Sequence, residues 1–159
     1  MRTQTTLSAS LAVAVLVLLP ALASGHCQIP CGIYDDAARI ERLYEDATTI
    51  EKGISMINDL AGKTDAQSAN QLTRWIMNKE EHASNIITIV AEYFLTQKVK
   101  PVAPAAEGYA AYLQNLADHH GVMTAAMKAK QNADPQSVVA LRNAIDALAQ
   151  HYDLQPHEH

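Results

Sequence analysis

The densest group of metal-binding side chains in the sequence lies in residues 26–34, which are His-Cys-Gln-Ile-Pro-Cys-Gly-Ile-Tyr. His26, Cys27 and Cys31 bring an imidazole and two thiols into six residues. If the chain began at His26, its free α-amine and the deprotonated amide nitrogen of Cys27 would add two nitrogen donors in adjacent chelate rings. Square-planar nitrogen and sulfur coordination suits Ni(II) or Cu(II), whereas zinc prefers a tetrahedron. The pattern therefore predicts a nickel or copper site.

The residues upstream of His26 have the layout of a secretory signal peptide. Arg2 precedes the apolar run 11–19, and small residues follow it. The run is shorter than the roughly 20 apolar residues of a membrane span, which disfavours an uncleaved anchor. Small residues permit cleavage before His26 or before Ser24. We expect residues 1–25 to be removed and the protein to be exported, periplasmic or secreted, with a processing protease as a partner.

The only two cysteines of the chain, Cys27 and Cys31, leave a second interpretation open. Cysteine pairs in exported proteins usually form disulfides. A bridge between residues four apart closes a very small loop and would stabilise the fold little, because its entropic effect grows with loop length. The chain could therefore be an enzyme, a metal carrier without turnover, or a helical protein with a small surface disulfide.

The charge of the chain argues against nucleic acid and anionic membranes as partners. The net charge is −5, and loss of Arg2 with the signal peptide would make it one unit more negative. The sequence contains no block of basic residues that would bind phosphates. We expect no nucleic-acid binding and no stable membrane association after cleavage.

The elements that must support residues 26–34 are predicted to be helices. Apolar residues recur at helical spacing in four stretches, and none shows strand-like alternation. We predict an all-α, antiparallel four-helix bundle over residues 35–152, followed by a histidine-containing tail at 153–159. The four predicted apolar faces are Ile40, Leu43, Tyr44, Ala47, Ile50, Ile54, Ile57 and Ala61; Leu72, Ile76, Ala83, Ile87, Val90 and Phe94; Tyr109, Tyr112, Leu113, Leu116, His120, Met123 and Met127; and Val138, Leu141, Ile145, Leu148 and Tyr152.

Capping residues define the expected helix ends. Asp35 is the predicted N-cap of the first helix and Gly62 its stop. Thr64 to Gln67 has the pattern of a capping box for the second helix, which should end before Pro101. The third helix is expected to start at 104–107. Asp134 followed by proline predicts the start of the fourth helix.

Residues 26–34 resemble the H-C-x-x-P-C-G-x-Y nickel hook of the nickel-containing superoxide dismutases. Weaker similarity continues at Ala38–Glu41, Lys79–Glu81 and Tyr93–Phe94. The resemblance implies a homohexamer of small helical bundles with one nickel ion per subunit. It also implies disproportionation of superoxide to dioxygen and hydrogen peroxide through a Ni(II)/Ni(III) cycle.

The resemblance assigns ligand roles within the hook. The amine of His26, the amide and thiolate of Cys27 and the thiolate of Cys31 would lie in the metal plane. The imidazole of His26 would bind the oxidised metal axially. Anionic sulfur and amide donors stabilise Ni(III), which aqueous nickel does not reach easily. A carrier would have no evident need for Tyr34 at its fixed distance from these donors, so the enzyme is favoured over the binding module.

The resemblance also implies roles around the metal. Tyr34 would lie beside the vacant face and limit access to small anions, Glu41 would hydrogen-bond the axial imidazole, and Tyr93 would support this network. Two residues depart from the better-known members. Gln28 replaces an aspartate, and His82 replaces an arginine that pairs with the glutamate from a neighbouring subunit. His82 could still donate to Glu41, but with a charge that varies with pH.

The remaining histidines have simpler interpretations. His120 falls on the predicted apolar face of the third helix, which favours a hydrogen-bonded core histidine over a metal ligand. The three histidines of residues 151–159 belong to a terminus expected to fray. Weak nickel or zinc capture by that tail is an additional hypothesis.

Overall fold

The computed structural model describes residues 34–152 and shows an all-helical protein in that range, as predicted. The signal peptide, most of the hook and the tail from Asp153 onward lie outside the described residues. The chain divides between Tyr34 and Asp35 into two units, and every described helix belongs to the second. The helices are Asp36–Leu60 (α1), Ala66–Thr88 (α2) with a π-helical continuation Ile89–Lys98, Tyr109–Gln131 (α3) and Gln136–Ala149 (α4).

The four helices pack as a closed ring in which each contacts two neighbours. α1 packs on α2, α2 on α3, α3 on α4, and α4 on α1. At one end of the bundle the start of α1 meets the end of the π-helical segment through Asp36 and Lys98. At the other end Asn58 of α1 donates to the carbonyl of Ala133, between α3 and α4. Consecutive helices are therefore antiparallel, as the short connections require.

The predicted apolar faces of α1 and α4 form much of the core. Burial of each large aliphatic side chain contributes roughly 1.5–3 kcal/mol. No helix among residues 34–152 is long and apolar enough to cross a membrane. The buried aliphatic residues on the two predicted faces are Ile40, Leu43, Ala47, Ile50 and Ile54 of α1 and Val138, Leu141, Ile145 and Leu148 of α4.

The predicted caps of α1 are confirmed, whereas the N-cap of α4 is Pro135, one residue after the predicted Asp134. The Asp35 carboxylate accepts from the amide of Ala38 at 2.9 Å. Just beyond α1, Gly62 adopts φ +81°, a left-handed conformation that other residues rarely adopt. The Asp134 carboxylate accepts from the amide of Gln136 at 3.0 Å. Each side chain satisfies an amide that the first helical turn leaves without a partner.

The predicted capping box of α2 is wrong by one residue. The cap is Asp65, whose carboxylate accepts from both the amide and the hydroxyl of Ser68, at 2.9 and 2.6 Å. A carboxylate competes well for this position because its charge interacts favourably with the helix dipole. Thr64 is therefore displaced from the N-cap.

The predicted start and buried face of α3 are also wrong. The helix begins at Tyr109, after residues 104–107, and the buried face is rotated by one residue. Leu113 and Met127 are 46% and 44% exposed. The fully buried residues are His119, Val122, Ala126 and Ala129. The core thus takes the smaller residues of α3 and leaves larger apolar side chains on its surface.

The π-helical segment was not predicted, and it changes which side chains enter the core. The hydroxyl of Thr96 reaches the carbonyl five residues back, and the amide of Val99 donates to Phe94 at 2.9 Å. Its wider turn allows two consecutive residues, Tyr93 and Phe94, to be buried together. Such segments occur often at functional sites.

Candidate metal centre and the polar groups of the bundle

The three predicted metal ligands, His26, Cys27 and Cys31, lie outside the described residues. Within residues 34–152, no cluster of three or more histidine, cysteine, aspartate or glutamate side chains could hold a metal ion. The metal site at His26, Cys27 and Cys31 stays a prediction. The structure describes the polar groups of the bundle to which the hook is covalently joined.

The first turn of α1, immediately after the hook, is tied to the π-helical segment. Tyr34 is half-buried and precedes the capping residue Asp35. The Tyr93 hydroxyl donates to Oδ1 of Asp36 at 2.6 Å, and the Lys98 ammonium lies 2.9 Å from Oδ2. The role predicted for Tyr93 around the metal stays a prediction.

Tyr93 is held in its protonated form. Burial, followed by the hydrogen bond and negative charge of Asp36, raises the pKa of this phenol well above its usual value. The ring is 3% exposed and packs edge-on against Phe94 with a centroid distance of 4.9 Å. The guanidinium of Arg39 lies 5.2 Å from its centroid, within cation–π range. Tyr93 therefore acts as a fixed hydrogen-bond donor at neutral pH.

Glu41 lies on the exposed side of α1, available to a group outside the described bundle. The next residue, Arg42, reaches towards the following turn of α1. Its guanidinium lies 3.1 Å from the carboxylate of Glu45 and 3.3 Å from that of Asp46. The predicted bond from Glu41 to the imidazole of His26 falls partly on residues outside the described range and stays a prediction.

His82 contacts a carboxylate of its own subunit. Its Nδ1 lies 2.6 Å from Oδ1 of Asp46, a fully buried residue on α1. The second oxygen of Asp46 is also buried, and no described residue donates to it. His82 is half-buried. Contact between His82 and Glu41 of a neighbouring subunit stays a prediction.

Lys79 of α2 also has a side chain that points into the bundle. Its side chain is 4% exposed, and its ammonium donates to the carbonyl of Ala129 at 2.9 Å and to that of Lys130. These carbonyls end α3, where a cation is favoured by the helix dipole. The close approach of α1 here leaves no spare room, since a Cβ on Gly53 would lie 3.2 Å from that of Lys79. Lys79 therefore joins α2 to the end of α3.

The core histidine of α3 is His119, not His120, which is exposed. Nδ1 of His119 lies 2.7 Å from the carbonyl of Asn115, so this nitrogen must carry the proton. Nε2 then accepts from the Tyr152 hydroxyl, also at 2.7 Å. Burial lowers the pKa of His119, which favours this neutral form. The prediction of a buried, hydrogen-bonded histidine was correct in kind and wrong by one residue.

A cleft of about 500 Å³ opens at the end of the bundle where α1 begins. It contains Asp36 and Lys98, together with residues from the start of α3 and the end of α4. His151, in its wall, lies 2.7 Å from the carboxylate of Asp118. The cleft gives solvent access to one side of the Asp36–Lys98 pair.

The sequence interpretation missed three charged residues, Asp36, Asp46 and Lys98. One of them had a usable signal, because Asp46 interrupts the apolar face of α1 as His82 interrupts that of α2. Two polar interruptions on facing helices are expected to pair, since a buried carboxylate needs a partner. The ion pair between Asp36 and Lys98 could not be predicted from the sequence, because it depends on the unpredicted π-helical segment.

Comparison with known proteins gives one match. The family model of nickel-containing superoxide dismutase matches residues 21–155, a range that includes the candidate metal ligands and all four helices. No curated protein and no solved structure matches the chain.

Proposed function

The chain belongs to the nickel-containing superoxide dismutase family, and on that premise we propose that residues 26–34 form its nickel site. The protein is a nickel-dependent superoxide dismutase, which converts superoxide to dioxygen and hydrogen peroxide. The observation that carries the proposal is that the family match includes both thiols of the chain, Cys27 and Cys31, with a histidine before the first.

The chemistry of the donor set fits nickel. His26 would contribute its amine and imidazole, Cys27 its amide nitrogen and thiolate, and Cys31 its thiolate. Soft thiolates together with nitrogen donors suit Ni(II). When bound, nickel supplies both one-electron half-reactions by alternating between Ni(II) and Ni(III).

The site requires a processed N-terminus. In the precursor the nitrogen of His26 is an amide bonded to Gly25, so it is not available as an amine donor. We propose that signal peptidase cuts before His26, or cuts before Ser24 with a second protease removing two residues. The mature enzyme would then be exported, to a periplasm or to the outside of the cell.

Tyr34, Glu41 and His82 are proposed to act around the metal rather than on it. Tyr34 would restrict the approach to small anions and hold a water or the peroxide product. Glu41 would orient the His26 imidazole, a common task for a carboxylate beside a metal-bound histidine. The exposure of Glu41 on α1 is consistent with this role. His82 of a neighbouring subunit is proposed to approach Glu41 in place of the family arginine.

We propose that the protein assembles as a homohexamer. The supporting feature of this chain is the group of large apolar side chains that the bundle leaves on its surface, which would be costly to leave in water over a contiguous area. They are Ile76, Met77, Leu113, Met127 and Val139, between 41% and 66% exposed.

Intact-mass and metal analysis of the exported protein tests the proposal. A chain that begins at His26 and carries about one nickel ion per subunit, as the donor set provides for, would support it. A different N-terminus with no nickel, and with Cys27 and Cys31 joined, would refute the proposed site. One residue added before His26 should abolish activity, whereas one residue added after His159 should not.

A further inference from the structure

The hook is proposed to contain every metal ligand, and it is attached to the bundle at the start of α1. The chain runs from Cys31 to Asp36 in five steps, a distance of at most about 18 Å when fully extended. The first turn of α1 therefore sets the point at which the hook joins the bundle. A contact that fixes this turn also fixes that point.

Two side chains of the π-helical segment fix that turn. Tyr93 and Lys98 both contact the carboxylate of Asp36. Asp36 is the first residue of α1, and each of its oxygens has its own donor from the π-helical segment. The carboxylate and the ammonium are 20% and 25% exposed, so water screens this pair less than a surface ion pair. The bond from Tyr93 is between a buried phenol and a charged acceptor, which is stronger than a bond between neutral groups.

The π-helical geometry makes both contacts possible. Tyr93 and Lys98 are five residues apart. In an α-helix, five residues rotate by about 500°, so the two side chains would point roughly 140° apart. In a π-helix, residues five apart are joined by a backbone hydrogen bond and lie on nearly the same side of the helix. Both donors therefore reach the same carboxylate.

The π-helical segment is itself anchored in the core. Phe94 is fully buried, and its ring lies 4.6 Å from that of Tyr152 and 5.8 Å from that of His119. Tyr93, the adjacent residue, is 3% exposed. The start of α1 is thus connected through Asp36 to the packed interior between α3 and α4.

We propose that Asp36, Tyr93 and Lys98 form a clamp that positions the nickel hook by holding the first turn of α1 in place. The clamp residues are positioning residues, not ligands. The proposal rests on the proposed function, because it assumes that His26, Cys27 and Cys31 hold the nickel. Loss of the clamp should let the hook release nickel faster and should alter the environment of the bound metal.

The test compares the clamp with a matched contact elsewhere on α1. The Tyr44 hydroxyl donates to Asp146 of α4 at 2.5 Å, which is also a tyrosine–aspartate bond but lies about two helical turns beyond Asp36. Asp36→Asn and Asp146→Asn are introduced into the mature, nickel-loaded enzyme. Nickel release to excess EDTA, the thiolate-to-nickel absorption bands and the melting temperature are measured for each.

We expect Asp36→Asn to accelerate nickel release about tenfold, the loss typical of removing a group that supports metal ligands, and to shift the absorption bands. Asp146→Asn should leave the rate of nickel release and the absorption bands unchanged, even if it lowers the melting temperature as much as Asp36→Asn does. Equal release rates for the two variants would overturn the clamp. A wild-type chain that binds no nickel would instead overturn the proposed function.

Lys98 provides a second test that does not depend on the folding of Asp36→Asn. Lys98→Met removes the ammonium but keeps an unbranched side chain, and Lys98→Arg restores the charge. Faster nickel release in Lys98→Met and recovery in Lys98→Arg would support the clamp. Wild-type release in Lys98→Met, or release in Lys98→Arg as fast as in Lys98→Met, would overturn it.

Discussion

The hook and the interior of the bundle both contain polar groups, but they are assembled in opposite ways. The donors of the hook lie within six consecutive residues, so they need little help from the fold to meet. The polar groups of the bundle are paired over long distances in sequence. Asp46 meets His82, 36 residues away, and His119 meets Tyr152, 33 residues away.

This difference separates the chemistry of the protein from its stability. Changes in the hook should remove activity without unfolding the bundle, because every core residue that the structure describes lies between Ile40 and Ala149. Changes to the buried polar pairs should lower the free energy of unfolding, because each leaves a desolvated group without a partner. The clamp at Asp36 is the one contact that we expect to affect both.

The largest expected effect is on activity, from loss of either thiol. Cys27→Ser or Cys31→Ser should reduce superoxide dismutation to the background rate, because a serine hydroxyl is a poor ligand for nickel and does not stabilise Ni(III). Helix content by circular dichroism and the melting temperature should stay near those of the wild type. Retained turnover in either variant would contradict the hook as the active site. Unfolding of either variant would contradict the expectation that changes in the hook leave the stability of the bundle intact.

The largest expected effect on stability comes from His119. His119→Ala removes a fully buried ring and with it the described acceptor of the Tyr152 hydroxyl. A cavity together with the lost hydrogen bond should cost about 2–4 kcal/mol in the free energy of unfolding. Chemical denaturation measures this cost. The matched control, His120→Ala at the adjacent exposed position, should change it by less than about 0.5 kcal/mol; equal losses would contradict the assignment of His119 to the core.

The same comparison explains how much could be predicted from the sequence. The hook depends on adjacent residues, so its donors could be identified directly. The helices α1 and α4 have one apolar face each, and most of their buried apolar residues were predicted correctly, although Ala61 is exposed. α3 has large apolar residues on one face and small ones on the next, and periodicity favoured the larger set containing His120. Packing chose the small face containing His119, which no pattern within a single helix specifies.

The buried carboxylate of Asp46 should have a smaller effect on stability. Asp46→Asn keeps the shape but removes the charge that faces both Arg42 and His82. We expect a loss of about 1–2 kcal/mol in the free energy of unfolding, which is less than for a fully buried pair. His82 and Arg42 are 19% and 45% exposed, so water can partly replace their contact with Asp46. The control is Glu45→Gln, which removes the exposed partner of Arg42. A cost for Glu45→Gln as large as that for Asp46→Asn would contradict the importance of burial.

The contribution of the buried His119 to stability should depend on pH. Burial lowers the pKa of His119, so on acidification the unfolded chain takes up this proton first, from about pH 6.5 downward. The contribution of the neutral imidazole should therefore decline as the pH falls below 6.5. The difference in unfolding free energy between wild type and His119→Ala should shrink over that range. His151 and Asp118 also act on His119, with opposite signs. A constant difference between pH 7 and 5 would contradict a neutral, buried His119.

The smallest expected effect is at Tyr44, on the outer side of the α1–α4 contact. Burial, with the hydrogen bond to Asp146, raises its pKa to about 12. The protonated phenol therefore contributes to stability below pH 10, and this contribution is lost as the pH rises from 10 towards 12. Because the group is partly exposed, the loss should be below about 1 kcal/mol. Tyr44→Phe, which has no phenol to ionise, should show a shallower decline of the melting temperature over that range. Since Tyr44 is remote from the hook, nickel release should be the same in both proteins; a difference would mean that contacts throughout α1, and not the clamp alone, hold the hook.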